Sequence, residues 1–341
     1  MKQKLSEIAD ITMGQSPLSG CYNSDGIGTP FLQGCTTFGR VYPSYDTWTT
    51  QFNKNANKDD VLFTVRAPVG DVNLCQRFTA IGRGLASIHA TKVNPKYLFY
   101  LLEGNKSAFT SESSGTIYQS INKDKLCNVI LNVHDSSTQQ HIVDTIGSVD
   151  SLIENYEERI SCLQKISSYL YLQLIEHSRK TSHLGNFIKI ETGSMNLDEN
   201  DPNGRYPFYT RNIGTFYSNK YTNEGKGAVV AGEGNFTPKF VNGKFGLHQR
   251  AYFIQPNTTK LGPEVIYEII LSNKKYLESV AVGSTVKSLR RFCFEQMPFF
   301  IDTDYFYLNQ RLERLFGEIE NLKRRENVLL NQKRILLNKY F

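Results

Sequence analysis

Two segments of the chain repeat apolar residues at alternating steps of three and four, and this feature limits the fold more than any other. The first is SSTQQHIVDTIGSVDSLIENYEERI at 136–160, in the middle of the sequence, and the second is YLNQRLERLFGEIENLKRRENVLL at 307–330. A mean spacing of about 3.5 residues keeps one narrow stripe of a helix facing a partner helix over many turns. The pattern therefore predicts two long helices that each need another helix to cover an apolar seam.

The two predicted seams are long enough to cover each other. The first consists of Ile142, Ile146, Val149, Ile153, Tyr156, Ile160, Leu163, Leu170 and Leu174, interrupted by Ser167. The second consists of Leu308, Leu312, Leu315, Ile319, Leu322, Leu329 and Leu336, interrupted by Glu326 and Lys333. We expect the two helices to pack on each other as an antiparallel coiled coil, because a globular segment connects them. Two amphipathic helices packed on separate domains are the alternative.

Internal similarity indicates that the chain is a tandem duplication. LSEIADITMGQSP at 5–17 resembles LGNFIKIETGSMN at 184–196, which pairs Gly14 with Gly193. Farther along, SSGTIYQSINKDKL at 113–126 resembles AVGSTVKSLRRFCF at 281–294, which pairs Ser120 with Ser288. Each copy of the repeat ends where a long predicted helix begins.

Each copy also has short apolar runs typical of strands and one longer stretch typical of a helix. The strand-like runs include DVLFTV at 60–65, GAVVAG at 227–232 and AYFIQP at 251–256, and the helical stretches lie at 94–109 and 262–280. The predicted fold class is α+β, with two tandem α/β domains joined by two long helices packed as an antiparallel coiled coil. The predicted segments are a first domain at 1–136, a central helix at 137–180, a second domain at 181–304 and a C-terminal helix at 305–341.

The composition permits nucleic-acid binding without demanding it. The 341 residues include 39 Lys and Arg against 33 Asp and Glu, which gives a net charge of +6 and a pI near 8.8. Six cysteines are scattered without a C-x-x-C pair, so neither a zinc site nor a disulfide framework is indicated. No stretch approaches the roughly 18 apolar residues of a membrane span, and we expect a cytoplasmic protein that does not contact a membrane.

The sequence lacks the motifs that most directly indicate catalysis. It contains no G-x-x-x-x-G-K-[ST] phosphate loop, H-E-x-x-H zinc helix or G-x-S-x-G elbow. AGEGNF at 231–236 has a Gly-x-Gly, but a tight turn explains it better than a dinucleotide fold does. A lone histidine such as His248 is interpreted as a hydrogen-bonded structural residue. A protein that binds without catalysing a reaction is therefore expected.

The order of these motifs resembles the specificity subunit of type I restriction-modification systems. The resemblance is carried by the two openings at 5–17 and 184–196, and by the motifs that follow them. These are DVLFTVRAPVGDVNL at 60–74, GRGLASI at 82–88, SGTIYQSINKDKL at 114–126, TQQHIVDTIGSVDSLI at 138–153 and GSTVKSLRRFCF at 283–294. The similarity spans essentially the whole chain.

The resemblance implies a role in a larger complex. In that family each globular unit is a target recognition domain that reads one half of a split double-stranded DNA sequence. The helices separate the two domains and dock two methylation subunits, which hold S-adenosylmethionine, and restriction subunits can join as well. The resemblance thus implies a non-catalytic chain with no cofactor of its own.

The length of the predicted helices suits such a spacing role. A helix of about 33 residues is on the order of 50 Å long, whereas one turn of B-DNA is about 34 Å. Because the two copies differ greatly in sequence, we expect an asymmetric target with two half-sites about one turn apart.

Candidate DNA contacts are cations and planar polar side chains in the predicted loops. Phosphates are bound by Lys and Arg, and base edges are read by planar side chains such as Arg and Gln. In the first domain the candidates are Arg66, Arg77, Arg83, Tyr118, Gln119 and Lys123. In the second they are Arg211, Lys239, Arg250, Lys287, Arg290 and Arg291. Any one of them fits a solvated surface residue equally well.

Two other classes of protein remain open at this level. A coiled-coil scaffold whose globular domains bind protein or glycan predicts no salt-dependent affinity for duplex DNA. A nuclease or methyltransferase with its own active site predicts activity from the chain alone, and the missing motifs argue against it.

Overall fold

The chain divides into two units, each with one copy of the repeated domain. The computed structural model describes residues 1–111, 120–212 and 214–341. One unit consists of Met1–Asn155 with Glu326–Phe341, and the other consists of Tyr156–Arg325. Each unit contains one α/β domain together with one half of each long helix.

The elements of the first domain are mostly short. Its strands are β1 (Lys2–Lys4), β2 (Ala9–Met13), β3 (Tyr22–Asn23), β4 (Thr29–Leu32), β5 (Trp48–Thr49), β6 (Asn55–Ala56), β7 (Val61–Thr64), β8 (Val72–Leu74), β9 (Thr79–Ile81), β10 (Leu85–Ala90) and β11 (Ile130–Asn132). Its helices are α1 (Leu5–Ile8), α2 (Pro95–Gly104), α3 (Lys106–Ser111) and α4 (Lys123–Asn128). The long helix α5 (Ser136–Ile175) follows.

The second domain repeats this order with longer strands. Its strands are β12 (Thr181–His183), β13 (Ile188–Thr192), β14 (Tyr206–Tyr209), β15 (Phe216–Ser218), β16 (Asn223–Ala231), β17 (Lys239–Leu247), β18 (Ala251–Pro256) and β19 (Pro298–Phe300). Its helices are α6 (Pro263–Ser272), α7 (Lys274–Val280) and α8 (Arg291–Glu295), followed by the long helix α9 (Phe306–Tyr340). Short 3-10 helices lie at Ser19–Cys21, Cys35–Thr37, Leu184–Phe187 and Leu197–Glu199.

The duplication is visible in the sheet topology. The first domain has a sheet in the order β2-β10-β7-β8, and the second begins its sheet with the equivalent order β13-β18-β16-β17. Each domain also has a parallel pair of strands, β4 with β9 and β14 with β17. The first and last short strands pair antiparallel in both domains, β1 with β11 and β12 with β19. The two copies of the sequence therefore adopt one topology.

Each domain buries its own core under the sheet. In the first, the rings of Phe63 and Phe109 meet at 5.0 Å, and the middle of α2 is fully buried against them. The single helix predicted at 94–109 is in fact two helices that meet at Asn105, and the one predicted at 262–280 divides in the same way at Asn273. Both asparagines donate their side-chain amide to the carbonyl four residues earlier, at 2.8 Å. This bond competes with the regular helical pattern and ends each helix.

The long helices run antiparallel within each unit. In the first, the ring of His141 faces that of Tyr340, and Asp150 pairs with Lys333. In the second, Arg159 pairs with Glu318 at 3.2 Å. Every predicted seam residue is buried or half-buried. One hydrophobic cluster consists of seam residues from the two helices. They are Ile160, Ile319 and Leu322, with Tyr156 and Leu163 packed against them.

The central helix is shorter than the sequence predicted. It begins at Ser136 and ends at Ile175, whereas the expected range was 137–180. The backbone amides of Arg179 and Lys180 donate to Asp302 Oδ2 at 2.9 and 3.1 Å, which draws this segment away from the helix. The chain enters β12 directly afterwards. The expected start of the second domain at 181 thus coincides with a strand.

Candidate nucleic-acid interface

One edge of the main sheet is built in the same way in both domains. In the first domain, Val65 at the end of β7 donates its backbone N–H to Gly84 O at 3.0 Å, and Gly84 donates to Gln33 O at 3.2 Å. In the second, Gly232 at the end of β16 donates to Arg250 O at 2.8 Å. Arg66 bridges to Ser120, and Glu233 bridges to Ser288. We call these two places the recognition edges.

A glycine in each copy allows this edge to close. A Cβ atom on Gly14 would lie 2.2 Å from the carbonyl oxygen of Gly82, and one on Gly193 would lie 2.1 Å from that of Leu247. No other residue type fits so close an approach. The repeated glycine that marked the duplication in the sequence therefore holds the first strand of the sheet against each recognition edge.

The first recognition edge brings together two of the predicted cations. Arg66 and Arg83 are exposed there, and Arg83 donates its backbone N–H to Ser16 Oγ at 3.2 Å. Lys123 is exposed in the first turn of α4. Arg77 lies at the opposite end of β9, with its guanidinium 4.5 Å from the ring centre of Tyr45. Tyr118 and Gln119 lie outside the described residues.

The second recognition edge joins two predicted arginines through a carboxylate. Arg250 Nη1 lies 2.7 and 2.9 Å from the two oxygens of Glu233, and Arg211 Nη1 lies 3.6 Å from Oε2. The carbonyl of Lys287 accepts from Gly234 N at 3.2 Å, so its backbone reaches the same edge. Two guanidiniums and one carboxylate thus share a single exposed site.

Three other predicted cations of the second domain, Lys287, Arg291 and Lys239, have local partners. Lys287 Nζ donates to Glu278 O at 3.0 Å, and Arg291 pairs with Glu295 at 2.8 Å. Lys239 Nζ donates to the carbonyls of Asn212 and Gly214 at 3.1 and 2.8 Å, and burial lowers the pKa of this lysine. Arg290 is exposed immediately before α8.

Glu233 is the residue that the sequence-based prediction missed. It lies in AGEGNF, which was interpreted only as a tight turn, and Gly234 does adopt a positive φ of 81°. Its equivalence to Arg66 could have indicated its place, because each residue lies two positions after the end of a buried strand and bridges to the paired serine. A carboxylate can accept from cytosine N4, whereas an arginine can donate two hydrogen bonds to guanine. The two edges therefore offer different chemistry on one scaffold.

His248 stabilises the turn that carries Arg250 at the second recognition edge. Its Nδ1 accepts the backbone N–H of Arg250 at 3.1 Å, which requires an unprotonated nitrogen. Burial lowers the pKa of His248, and the charges of Arg211 and Arg250 lower it further. The histidine is thus a structural acceptor that holds the turn carrying Arg250.

Metal binding and membrane insertion find no support in the described part of the chain. Within 1–111, 120–212 and 214–341, no three His, Cys, Asp or Glu side chains come together in a way that suits a metal ion. None of the helices formed by these residues is both long and apolar enough to span a bilayer.

Comparison with known proteins assigns the repeated domain. The family model described as "Type I restriction modification DNA specificity domain" matches residues 1–165 and again residues 177–301. The chain therefore belongs to the family of type I restriction-modification specificity subunits, and it carries two copies of the family's domain.

Two curated relatives match over part of their length. A MjaX type I restriction enzyme specificity subunit of Methanocaldococcus jannaschii is 38% identical over 146 residues, which is 42% of this chain and 34% of the relative. The EcoDI type I restriction enzyme specificity subunit of Escherichia coli is 28% identical over 148 residues, or 43% of this chain and 33% of the relative. The matched region is thus about a third of the length of each relative.

One solved structure shares the fold along the whole chain. It is the S subunit of a type I restriction-modification system from M. genitalium, with a TM-score of 0.62. The superposition covers 100% of this chain and 96% of that one at 15% identity, so the likeness concerns the fold alone.

Proposed function

We propose that this chain is the DNA-recognition subunit of a type I restriction-modification complex and that it reads a bipartite, asymmetric target in double-stranded DNA. Each domain reads one half-site with its recognition edge. The observation that carries the proposal is the repetition of this edge with different side chains, Arg66 and Arg83 in one domain and Arg211, Glu233 and Arg250 in the other. A repeated scaffold with changed polar groups suits two different short sequences.

The long helices fit the role of a spacer between the half-sites. α5 has 40 residues and α9 has 35, which correspond to lengths of about 60 and 50 Å. One turn of B-DNA is about 34 Å, so a rod of this size can separate two half-sites on one face of the duplex.

Partner subunits carry out the catalytic reactions of the complex. Two methylation subunits dock on the paired helices and hold S-adenosylmethionine, and restriction subunits can join them. The chain itself is non-catalytic and acts in the cytoplasm. Co-purification from the host should recover methylation subunits at two per chain, and a chain that purifies without them would favour the scaffold alternative.

Selection from a random pool of DNA duplexes tests the recognition role. The assembled full-length chain should enrich two short sequences separated by a constant number of unread base pairs. Arg250→Gln should relax the preference at one half-site only, by about 1–3 kcal/mol for the affected base pair. The matched control is Lys275→Gln, which removes an exposed cation of α7 that is not one of the residues of the edge.

Two results would count against the proposal. One is enrichment of a single continuous sequence, and the other is the absence of salt-dependent affinity for duplex DNA. Equal effects of Arg250→Gln and Lys275→Gln would show that the second edge is not a reading surface.

A further inference from the structure

A groove of 740 Å³ lies within the second unit, between β17 and the middle of α9. Phe240 and Val241 form its floor, and Phe316 and Ile319 of α9 line one wall. Lys239, Lys323 and Arg324 also line it, the last two as exposed side chains. The groove therefore combines an apolar base with three cations.

The charge of the groove is positive. Its carboxylate, Glu320, accepts a hydrogen bond from Asn242 Nδ2 at 3.0 Å. Lys323 lies one turn further along α9 and Arg324 follows it, and Arg324 donates to Asn321 Oδ1 at 3.0 Å. A bond to a neutral amide oxygen leaves the positive charge of Arg324 unneutralised, so the groove attracts an anion.

The groove is continuous with the second recognition edge. Lys239 Nζ donates to the carbonyls of Asn212 and Gly214, and Asn212 directly follows Arg211. The loop that presents Arg211 to the edge is thus fastened to the groove by a lysine of β17. Lys239 therefore belongs to the groove and also contacts the loop that carries Arg211.

The equivalent position in the first unit is closed by the chain itself. The strand register makes Leu74 the counterpart of Phe240, because their partners Val61 and Ala228 pair with Ile88 and Ile254. Leu74 donates its N–H to Val41 O at 2.7 Å, and Asn73 bonds to Gly39 in both directions at 3.0 and 3.1 Å. Residues 38–43 therefore cover, in the first unit, the surface that corresponds to the open groove of the second. We call residues 38–43 the plug.

Acidic side chains surround the plug, whereas the groove of the second unit is positively charged. Arg40 of the plug pairs with Glu326 at 3.4 Å. Burial raises the pKa of Tyr42, and the nearby charges of Glu154, Asp59 and Asp150 raise it further. The open, cationic groove is thus specific to the second unit and does not follow from the topology that both domains share.

We propose that this groove binds the phosphate backbone of DNA, so that Lys323 and Arg324 make α9 a DNA-contacting element as well as part of the spacer. The inference rests on the proposed function, because the same duplex that the second recognition edge reads supplies the phosphates. The contacts position the duplex without reading its bases.

The test measures how the affinity of the full-length chain for a duplex carrying its selected target depends on salt. The double variant Lys323→Gln/Arg324→Gln should lower the slope of log affinity against log salt by about two, roughly 0.9 for each phosphate contact. At 0.1 M salt the affinity should fall on the order of tenfold per contact. The ratio of affinities for the target and a scrambled duplex should stay unchanged.

The matched control is Arg311→Gln/Arg314→Gln, which removes two exposed cations of α9 that do not line the groove. It should leave the slope as it is in the unmodified chain. An unchanged slope in the groove variant, or an equal loss in the control, would overturn the inference while leaving the recognition role intact. If the unmodified chain shows no salt-dependent DNA binding, both proposals fall together.

Discussion

At the scale of single residues, the second unit buries the carboxyl group of Glu268 on α6. Ser167 and Ser168 of α5 both donate to its carboxylate, the latter at 2.8 Å, and the side chain is almost wholly inaccessible. Burial raises the pKa of Glu268 even though both hydrogen bonds oppose the shift. Ser167, which interrupts the first seam, is therefore the partner of a domain residue.

The raised pKa of Glu268 predicts a pH-dependent stability. The favourable contribution of Glu268 to the free energy of unfolding is fully present below the unfolded-state pKa, near 4.5. This contribution is lost as pH rises through the higher folded-state value. Glu268→Gln keeps an acceptor for the serines but does not titrate. The free energy of unfolding of the natural chain, relative to this variant, should fall as pH rises above about 4.5 and level off once the pH exceeds the folded-state pKa.

Denaturant titrations at a series of pH values measure this difference. Glu313→Gln, at an exposed position of α9, is the control and should differ from the natural chain by the same small amount at every pH. A Glu268→Gln curve parallel to that of the natural chain would show that the buried carboxylate does not contribute to the pH dependence.

At the scale of the long helices, the polar interruption at Lys333 is an organised site. Its side chain is 6% exposed, and its Nζ lies 3.0 Å from both Asp150 Oδ1 and Glu103 Oε2. Tyr100 donates its hydroxyl to the other oxygen of Asp150 at 2.9 Å. A buried polar group at a seam position disfavours other alignments of a coiled coil, because a shifted helix would leave it unpaired. Lys333 thus specifies how α9 aligns with α5.

Lys333→Ala should destabilise the chain by about 3–5 kcal/mol, because it leaves the buried carboxylate of Asp150 and the half-buried one of Glu103 without their cation. The neighbouring Arg334→Ala removes an exposed cation of α9 and should change the free energy of unfolding by no more than about 0.5 kcal/mol. Chemical denaturation of both variants provides the comparison. A loss of under about 1 kcal/mol for Lys333→Ala would mean that the ion pairs do not stabilise this alignment.

At the scale of the whole molecule, duplication leaves two domains of one topology with different polar edges. If the helices act as a spacer, their length determines the number of unread base pairs. Insertion of one heptad into both α5 and α9 preserves the seam period and adds about 10 Å. The selected target should then keep both half-sites and gain about three base pairs between them, at about 3.4 Å each.

Sequencing of the selected duplexes measures this gap directly. A heptad inserted into α5 alone is the control, since it breaks the alignment of the seams and should abolish tight binding to any bipartite site. A gap that stays constant after the double insertion would refute the spacer role without refuting DNA recognition by the single domains.

The duplication, the α/β character of each copy and the two paired helices could be predicted from the sequence alone. These features depend on local periodicity and on the order of motifs, both of which can be read without knowing any distant contact. The repeated Gly14 and Gly193 likewise marked a close approach in both copies. Loop cations follow no period, so periodicity does not indicate which of them contact DNA, and the candidates named from the sequence stay predictions.

The pairing of polar side chains became known only from the folded chain. Asn105 and Asn273 ended helices through bonds to a preceding turn, and Asp302 drew residues 179 and 180 out of α5. Glu233 gained its importance from two arginines that lie 22 and 17 residues away in sequence. Lys239 donates to a loop carbonyl, and Lys333 pairs with a carboxylate more than 180 residues away in sequence. Periodicity determines which face of an element is buried, whereas the partners of a polar group depend on the folding of the entire chain.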